Sequence, residues 1–300
     1  LYLFVYVNTD GTAVFSSAML IYGWILGMEQ KWDRKSCTHL AAGVAVCAMS
    51  YFNAYGFALF SVVMFVGSLI VFYRKKGAKI CPGIILKRGL YITAVVFLLC
   101  GWWFIRCAIL YDGDFLGLHA PAKYGELYAQ EEFKPSVKKS LEEQGTPIDE
   151  LLRSEDTGGM DWIRTTYRST IGYFGYLKYP LGLDIYEIPK RLVLLGMVGC
   201  VLCLLLAAVK LAWNRTVRWT KKEKVPVSFT IPGMKLHTAN FFLLQISFCC
   251  CIIIPILLSV VYSYTDDFQP QGRYIMPLIV PLAYFVAAGT QRIMTLFFKK

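Results

Sequence analysis

A cluster of polar side chains stands directly before an apolar run near the end of the chain, in "YTDDFQPQGRYIMPLIVPL". Its polar members are Asp266, Asp267, Gln269, Gln271, Arg273 and Tyr274. The planar guanidinium of Arg273 carries five N–H donors, whose geometry matches a phosphate or a carboxylate. An ionisable group beside a membrane-spanning run is costly, so a partner is expected. Two interpretations stay open: Arg273 binds an anionic ligand, or it pairs with Asp266 or Asp267 and anchors the helix.

Two more ionisable residues stand at the ends of apolar runs. Asp10, in "VNTDGTA", could take a proton from an acceptor hydroxyl as a general base, or it could simply cap the following helix, which is the simpler interpretation. Arg106 follows "CGWWF" and either extends toward the membrane surface or faces a polar cavity. Asp266 and Asp267 leave a divalent cation open as an alternative, but two adjacent acids alone do not predict a metal site.

The composition indicates a membrane protein. Of the 300 residues, 56% are hydrophobic and 17% are charged, whereas soluble domains carry about 25% charged residues. Several apolar runs are long enough to cross a hydrocarbon core about 30 Å thick as helices, and they lack the alternation of a β-barrel. The net charge of +11 comes from basic residues clustered between these runs, which predicts membrane orientation rather than nucleic-acid binding. We therefore expect an all-α, polytopic transmembrane helical bundle, with residues 1–300 forming a single membrane domain.

The pattern predicts about seven spans. They lie near residues 12–28, 38–52, 56–73, 89–111, 190–212, 238–261 and 273–296. A polar break, "SYFNAYG", divides the second span from the third. The basic connectors at 74–88 and 215–224 are expected on the cytoplasmic side, together with the C-terminal Lys299 and Lys300. The ten cysteines are expected to be free thiols, because most lie in apolar runs and none lies in the longest polar loop.

One long extracytoplasmic loop, residues 112–189, is expected to carry short helices. The segment "KPSVKKSLEEQG" predicts a helix with Pro135 at its first position and Gly145 as its stop. A second helix is expected in "TPIDELLRSEDTGG", with Thr146 as its cap and Gly158 and Gly159 at its end. From Asp161 onward, aromatic and basic residues interleave, which is typical of a segment lying along the membrane interface.

Two motifs in this order resemble a known family. They are "TTYRSTIGYFGYLKYPLGLDIY" (165–186) and the closing "QPQGRYIMPLIVPL". Together they resemble the uncharacterised bacterial integral membrane family called domain of unknown function 2142, which is itself similar to the C-type glycosyltransferases. The resemblance covers roughly residues 10–298. Because the chain begins at Leu1 inside an apolar stretch, we expect it to be the C-terminal part of a longer protein.

The resemblance implies an inverting glycosyltransferase in the bacterial cytoplasmic membrane. Such an enzyme transfers a sugar from a polyprenyl phosphate to a glycan or protein acceptor at the outer face, without a further cofactor and without nucleic acid. An acid in the first outer loop acts as the base in this family; here it either precedes Leu1 or is Asp10. Arg273, in the Gly-Arg-Tyr motif, would contact the donor phosphate. Further candidates are Arg106 and Arg168 for the phosphate, with Gln271, Tyr274, Asp266, Asp267, Tyr167 and Tyr173 in support.

Two other functions stay open at this stage. The chain could be a transporter or flippase for a lipid-linked sugar or another anion, which predicts polar residues at mid-membrane in broken helices. It could also be a non-catalytic envelope protein. Loss of the arginines would be tolerated in that second alternative.

Overall fold

The computed structural model describes residues 9–77, 81–153, 161–174, 177–218 and 238–297, and the chain is nearly all-helical, as predicted. The α-helices are α1 (Asp10–Glu29), α2 (Arg34–Ala48), α3 (Tyr55–Lys75), α4 (Pro82–Val96), α5 (Trp102–Leu110), α6 (Ala120–Tyr128), α7 (Ile148–Arg153), α8 (Trp162–Ile171), α9 (Leu183–Arg218), α10 (Thr238–Thr265) and α11 (Ile279–Phe297). Short 3₁₀ segments occur at Phe52–Ala54, Glu131–Phe133 and Gly272–Leu278, and a π-helical turn at Phe97–Gly101 joins α4 to α5. Strands β1 (Tyr173–Phe174) and β2 (Tyr179–Pro180) pair antiparallel.

Several helices are long and apolar enough to cross a membrane. Within the described residues these are Asp10–Glu29, Phe52–Lys75, Pro82–Leu110, Ala239–Thr265 and Gly272–Thr295. The predicted count of about seven is not confirmed. The segment predicted at 38–52 forms α2, which has only 15 residues. The segment predicted at 190–212 lies within the 36-residue α9, which is not among the five.

The polar break predicted between the second and third apolar runs is confirmed. Helix α2 ends at Ala48, and the chain turns through the 3₁₀ segment Phe52–Ala54 into α3. The Tyr55 hydroxyl closes this turn by donating to the Ala48 carbonyl at 2.7 Å. Because the backbone groups released by the break are satisfied locally, a tight hairpin is stable in an apolar surrounding.

Two tryptophan–serine hydrogen bonds tie α1 and its following turn to α3. The indole N–H of Trp24 donates to Ser61 Oγ at 2.8 Å, and that of Trp32 donates to Ser68 Oγ at 2.7 Å. Both indoles are almost fully buried. An indole N–H without an acceptor in an apolar interior is costly, so the two serines, seven residues apart on one face of α3, fix the packing of these helices.

Helices α9 and α11 approach each other through glycines. A Cβ at Gly199 would overlap the backbone of Gly289, and a Cβ at Gly289 would overlap the backbone of Gly196. Such close backbone contact is the usual way in which small residues join membrane helices, because it increases dispersion contact where the hydrophobic effect is weak.

The contacts give the bundle two chemically different ends. At one end the turn before α3 meets the 3₁₀ segment Gly272–Leu278, through Asn53 Nδ2 donating to the Tyr274 carbonyl at 2.8 Å. At the other end the Arg88 guanidinium donates to the Lys31 carbonyl at 2.8 Å. This arrangement agrees with the prediction that the first spans alternate in direction, with the turn near Asn53 and the connector near Lys31 at opposite ends. The connector around Lys221 and Lys222, and Lys299 and Lys300, lie outside the described residues.

The cysteine prediction agrees with the structure. The nine cysteines whose side chains the structure describes are all free. The side chain of Cys203 lies outside the described part of the chain.

The long loop differs from its prediction in one helix. Residues 134–145 form separate turns rather than a helix. Ser140 N–H donates to the Glu143 carboxylate at 3.0 Å and Glu143 N–H donates to Ser140 Oγ at 3.2 Å, so a new turn begins at Ser140 and ends at Gly145, which has φ +73°. The second predicted helix is confirmed as α7, although Gly158 and Gly159 lie outside the described residues. Helix α6 was not predicted.

The tryptophan–serine bonds make a stability prediction. Replacing Ser61 by Ala removes the acceptor of the Trp24 indole, and we expect a loss of about 1–2 kcal/mol in the free energy of unfolding. The control is Ser17→Ala, because Ser17 is also buried but its hydroxyl donates to its own helix, at the Val14 carbonyl. Denaturant titration in detergent measures both variants, and equal losses would contradict the role assigned to the interhelical bond.

Candidate functional site

The 3₁₀ segment Gly272–Leu278 carries the polar cluster and packs against α1, α8 and α10. Pro277 has no N–H and prevents a regular α-helix from beginning earlier. Gly272 is the closest contact with α8: its N–H donates to Ser169 Oγ at 2.7 Å, and a Cβ there would overlap the backbone of Thr170. The glycine of the Gly-Arg-Tyr motif therefore lets α8 press against the segment that presents Arg273.

Asp10 and Arg273 meet at this point, although they come from opposite ends of the sequence. Arg273 Nε lies 4.0 Å from Asp10 Oδ2, and Asp10 is only 4% exposed. The cap position of α1 is Thr9, which makes no side-chain cap hydrogen bond, and Asp10 is the first residue of the helix. Burial favours the neutral acid at Asp10, and the guanidinium and the helix N-terminus oppose this effect by favouring the carboxylate. The structure thus pairs the predicted acid with the predicted phosphate contact.

A chain of hydrogen bonds leads from this pair to the surface. Arg273 Nη2 donates to the Tyr274 hydroxyl at 2.9 Å, and that hydroxyl donates to Gln269 Oε1. The Gln269 amide donates to Asp267 Oδ2 at 2.7 Å, and Lys138 Nζ donates to Asp267 Oδ1 at 2.6 Å. Through this chain the position of the Tyr274 hydroxyl, which accepts from Arg273, depends on residues as far away as Lys138 in the long loop.

Aromatic rings form a layer around Arg273. Its guanidinium carbon lies 4.8 Å from the centre of the Tyr274 ring, a cation–π distance. The Tyr51 ring stacks on the Tyr274 ring, with the two ring centroids 5.4 Å apart. The centroid of the Tyr262 ring lies 6.5 Å from that of Tyr274. Burial raises the pKa of Tyr51 well above its usual value, with the neighbouring phenol of Tyr274 adding to the effect, so its hydroxyl stays neutral. The layer is therefore apolar on its faces and polar at its edges.

The long loop between α5 and α9 is fastened over this site at the end of α10. The Trp162 indole donates to Ser263 Oγ at 3.0 Å, and Glu142 N–H donates to the Tyr264 carbonyl at 3.1 Å. With the Lys138–Asp267 ion pair, three contacts join the loop to one short stretch of chain. The loop therefore covers the same end of the bundle at which Asp10 and Arg273 meet.

The structure brings some predicted site residues together and corrects one alternative. Arg273, Asp10, Tyr274 and Asp267 belong to one network. The expected pairing of Arg273 with Asp266 or Asp267 as an anchor is wrong: Asp267 is bonded to Lys138 and Gln269, and Asp266 is exposed. Gln271 stands at the cap of the 3₁₀ segment, where its N–H donates to the Gln269 carbonyl at 2.8 Å.

The remaining predicted residues lie elsewhere. Arg106 is exposed on α5, with its guanidinium carbon 5.2 Å from the Trp103 ring centre. Arg168 lies on α8 over the Tyr186 ring, at 5.7 Å. Tyr167 donates to the Tyr186 carbonyl, and Tyr173 lies in β1, so both belong to the join between α8 and α9. Their described contacts are structural, and none of them reaches Arg273.

Several members of the site were not recognised as such in the sequence. Tyr51 and Asn53 lie in the polar break before α3, which the topology had placed at the outer end, so their position was foreseeable although their contact with Tyr274 was not. Lys138 and Ser169 carry no local signal, because they reach the site only through the folding of the loop. Among the described residues, no group of three or more His, Cys, Asp or Glu side chains is arranged to hold a metal ion.

Comparisons with known proteins return no match: no family profile, curated protein or solved structure is similar to this chain. The resemblance to the family of unknown function therefore stays a prediction from the two motifs.

The contact between Gly272 and α8 makes a prediction about the site. In Gly272→Ala the new Cβ would overlap Thr170, so α8 or the 3₁₀ segment must move, at a cost of about 1–3 kcal/mol. Gly182→Ala is the matched control, since a Cβ there meets no atom within 4 Å. We expect a lower thermal midpoint and faster proteolysis of the outer loop in Gly272→Ala alone. An unchanged loop digestion pattern would contradict the proposed docking of α8.

Proposed function

We propose that this chain forms the acceptor-activating and phosphate-binding part of a membrane glycosyltransferase, which transfers a sugar from a polyprenyl-phosphate donor to a glycan or protein acceptor at the extracytoplasmic face of a bacterial cytoplasmic membrane. The observation that carries the proposal is the buried approach of Asp10 to Arg273, at 4.0 Å, at the polar end of an apolar bundle. The order of the two motifs supports the same assignment.

The two side chains have the chemistry that such a transfer needs. An acceptor hydroxyl oxygen attacks the anomeric carbon of the sugar, and the bond from that carbon to the phosphate oxygen breaks. The electron pair of this bond leaves with the polyprenyl phosphate, and the acceptor proton passes to the Asp10 carboxylate, which acts as general base. The Arg273 guanidinium stabilises the negative charge that develops on the phosphate.

The observed pairing is the expected state of this site before a donor binds. A buried carboxylate is costly alone, and Asp10 is offset by the partly buried guanidinium of Arg273 while the site holds no anion. A donor phosphodiester presents two non-bridging oxygens, and the guanidinium has donors in several directions with which to bind them. As the sugar–oxygen bond breaks, the leaving phosphate gains a third terminal oxygen and a second negative charge, which draws Arg273 away from Asp10 and leaves the carboxylate free to take the acceptor proton.

The surroundings fit a lipid-linked sugar. The half-buried ring of Tyr51 supplies a flat apolar surface next to a polar edge, which suits one face of a pyranose ring. The neighbouring helices are apolar over their length and can accept an isoprenoid tail. The loop over the site, held by Lys138 and Trp162, limits the access of water to the reacting bond.

A pair of substitutions separates the two proposed roles. In Arg273→Gln we expect weaker binding of undecaprenyl phosphate and a rate of sugar transfer lower by about 10²–10³-fold, because the donor to the leaving group is lost. In Asp10→Asn we expect undecaprenyl phosphate to bind at least as tightly as in the wild type while transfer is lost, because only the base is removed. Binding is measured by native mass spectrometry, and transfer with radiolabelled undecaprenyl-phosphate hexose and cell-envelope glycan, using the full-length protein.

The matched control is Arg164→Gln, which removes an outer arginine that is exposed and pairs with Asp161 at 3.8 Å. It should leave both measurements unchanged. Undiminished binding of undecaprenyl phosphate by Arg273→Gln would exclude the phosphate role. If the labelled lipid crosses proteoliposome membranes without any covalent change, the chain is a transporter and the catalytic proposal is wrong.

A further inference from the structure

An open groove lies between α2, α3 and α4, and neither Asp10 nor Arg273 is among its lining residues. It has a volume of about 500 Å³. The lining is almost wholly apolar: Leu40, Val44, Ala58, Ser61, Val62, Phe65, Val66, Ile85, Leu86, Gly89, Leu90, Ile92, Thr93 and Val96. Its floor is buried, since Leu40 is 2% and Phe65 5% exposed, whereas Leu86 and Leu90 on its rim are more than half exposed. A groove with this profile on a membrane-spanning surface faces hydrocarbon.

The length of the groove corresponds to one lipid chain. Its lining on α4 extends from Ile85 to Val96, which is about 16 Å along a helix axis. That is roughly half of a hydrocarbon core about 30 Å thick, the depth of one leaflet. Gly89, about one helical turn from the Ile85 end of this lining, widens the groove, because the nearest atom to a Cβ there would be Phe65 Cε1 at 3.9 Å.

The basic end of the bundle borders one mouth of this groove. Arg34 Nε donates to the Tyr91 hydroxyl at 3.5 Å, which places the guanidinium against α4, and Arg88 immediately precedes Gly89 and donates to the Lys31 carbonyl. Arg34 is exposed and Arg88 is half-buried, and both keep further N–H donors for a ligand. The nearest acid, Asp33, is occupied in capping α2, where its carboxylate accepts from Ser36 N and Ser36 Oγ at 2.8 Å each.

We propose that this groove binds an anionic glycerophospholipid, with one acyl chain in the groove and the phosphate headgroup on Arg34 and Arg88. The charge at the mouth selects the headgroup, since an arginine near a membrane surface favours an anionic lipid over a zwitterionic one. The shape of the groove holds the chain. The site is separate from the Asp10–Arg273 pair and does not depend on the function proposed for that pair.

The experiment is native mass spectrometry of the full chain in detergent, with phosphatidylglycerol and phosphatidylcholine that carry identical acyl chains. We expect the wild type to retain phosphatidylglycerol preferentially. The double variant Arg34→Gln with Arg88→Gln should lose about tenfold or more of this preference. Gly89→Leu places a side chain in the groove and should weaken phosphatidylglycerol binding as well, whereas Gly83→Leu, on the same helix where a Cβ meets nothing within 4 Å, should not.

Several outcomes would overturn the proposal. Equal retention of the two lipids by the wild type would show only a general lipid coat. If Gly89→Leu binds phosphatidylglycerol as the wild type does, while the arginine double variant loses this binding, the lipid binds to surface charge alone and the groove takes no part. Displacement of phosphatidylglycerol by undecaprenyl phosphate from a mutant lacking Arg273 would assign the groove to that lipid instead. Thermal melting and the smaller variant Gly89→Ala, which fits the available space, control for misfolding.

Discussion

The arrangement of this protein depends on one constraint, which is that a polar group buried in an apolar bundle must find its partner within the chain. Asp10 and Arg273 approach each other to 4.0 Å across almost the whole sequence, because α1 and the 3₁₀ segment Gly272–Leu278 pack side by side. The same rule explains why the indoles of Trp24 and Trp32 end on serines of α3, and why Asn53 donates to the Tyr274 carbonyl. Lipid is as apolar as a leucine side chain, so the hydrophobic effect does not fix the position of one membrane helix against another. Each of these polar contacts supplies that positioning.

A buried ion pair is a poor device for stability, since the desolvation of both charges offsets most of their attraction. Apolar residues of similar volume at positions 10 and 273 would hold α1 against the 3₁₀ segment at least as well. The pair therefore points to a use other than packing, and its polar neighbours point the same way. A chain of side chains from Arg273 through Tyr274 and Gln269 to Asp267 fixes the guanidinium in one orientation, which is what preorganised stabilisation of a developing charge requires.

Much of the fold could be predicted from the sequence, because length and continuous apolarity specify a membrane helix without tertiary information. The alternating directions of the predicted spans were enough to place Asp10 and Arg273 at the same end of the bundle. Their pairing did not, because it depends on which helices are neighbours, and the adjacent acids offered Arg273 a simpler partner. Asp267 is taken instead by Lys138, a residue 129 positions away. The predicted helix at 134–145 failed for a similar reason: the Ser140–Glu143 exchange and the bond from Glu142 to Tyr264 favour separate turns that follow the end of α10.

The loop and Arg273 are positioned by the same short stretch of chain. Ser263 and Tyr264 anchor the loop, Asp267 binds Lys138, and three residues beyond Pro270 the chain presents the guanidinium. A displacement of the loop must therefore act on Arg273 through Asp267, Gln269 and Tyr274, and a ligand that draws Arg273 away from Asp10 must act on the loop by the same route. We therefore expect closure of the loop over a bound donor and release of Asp10 from Arg273 to occur together, because both change the hydrogen bonds of the same network.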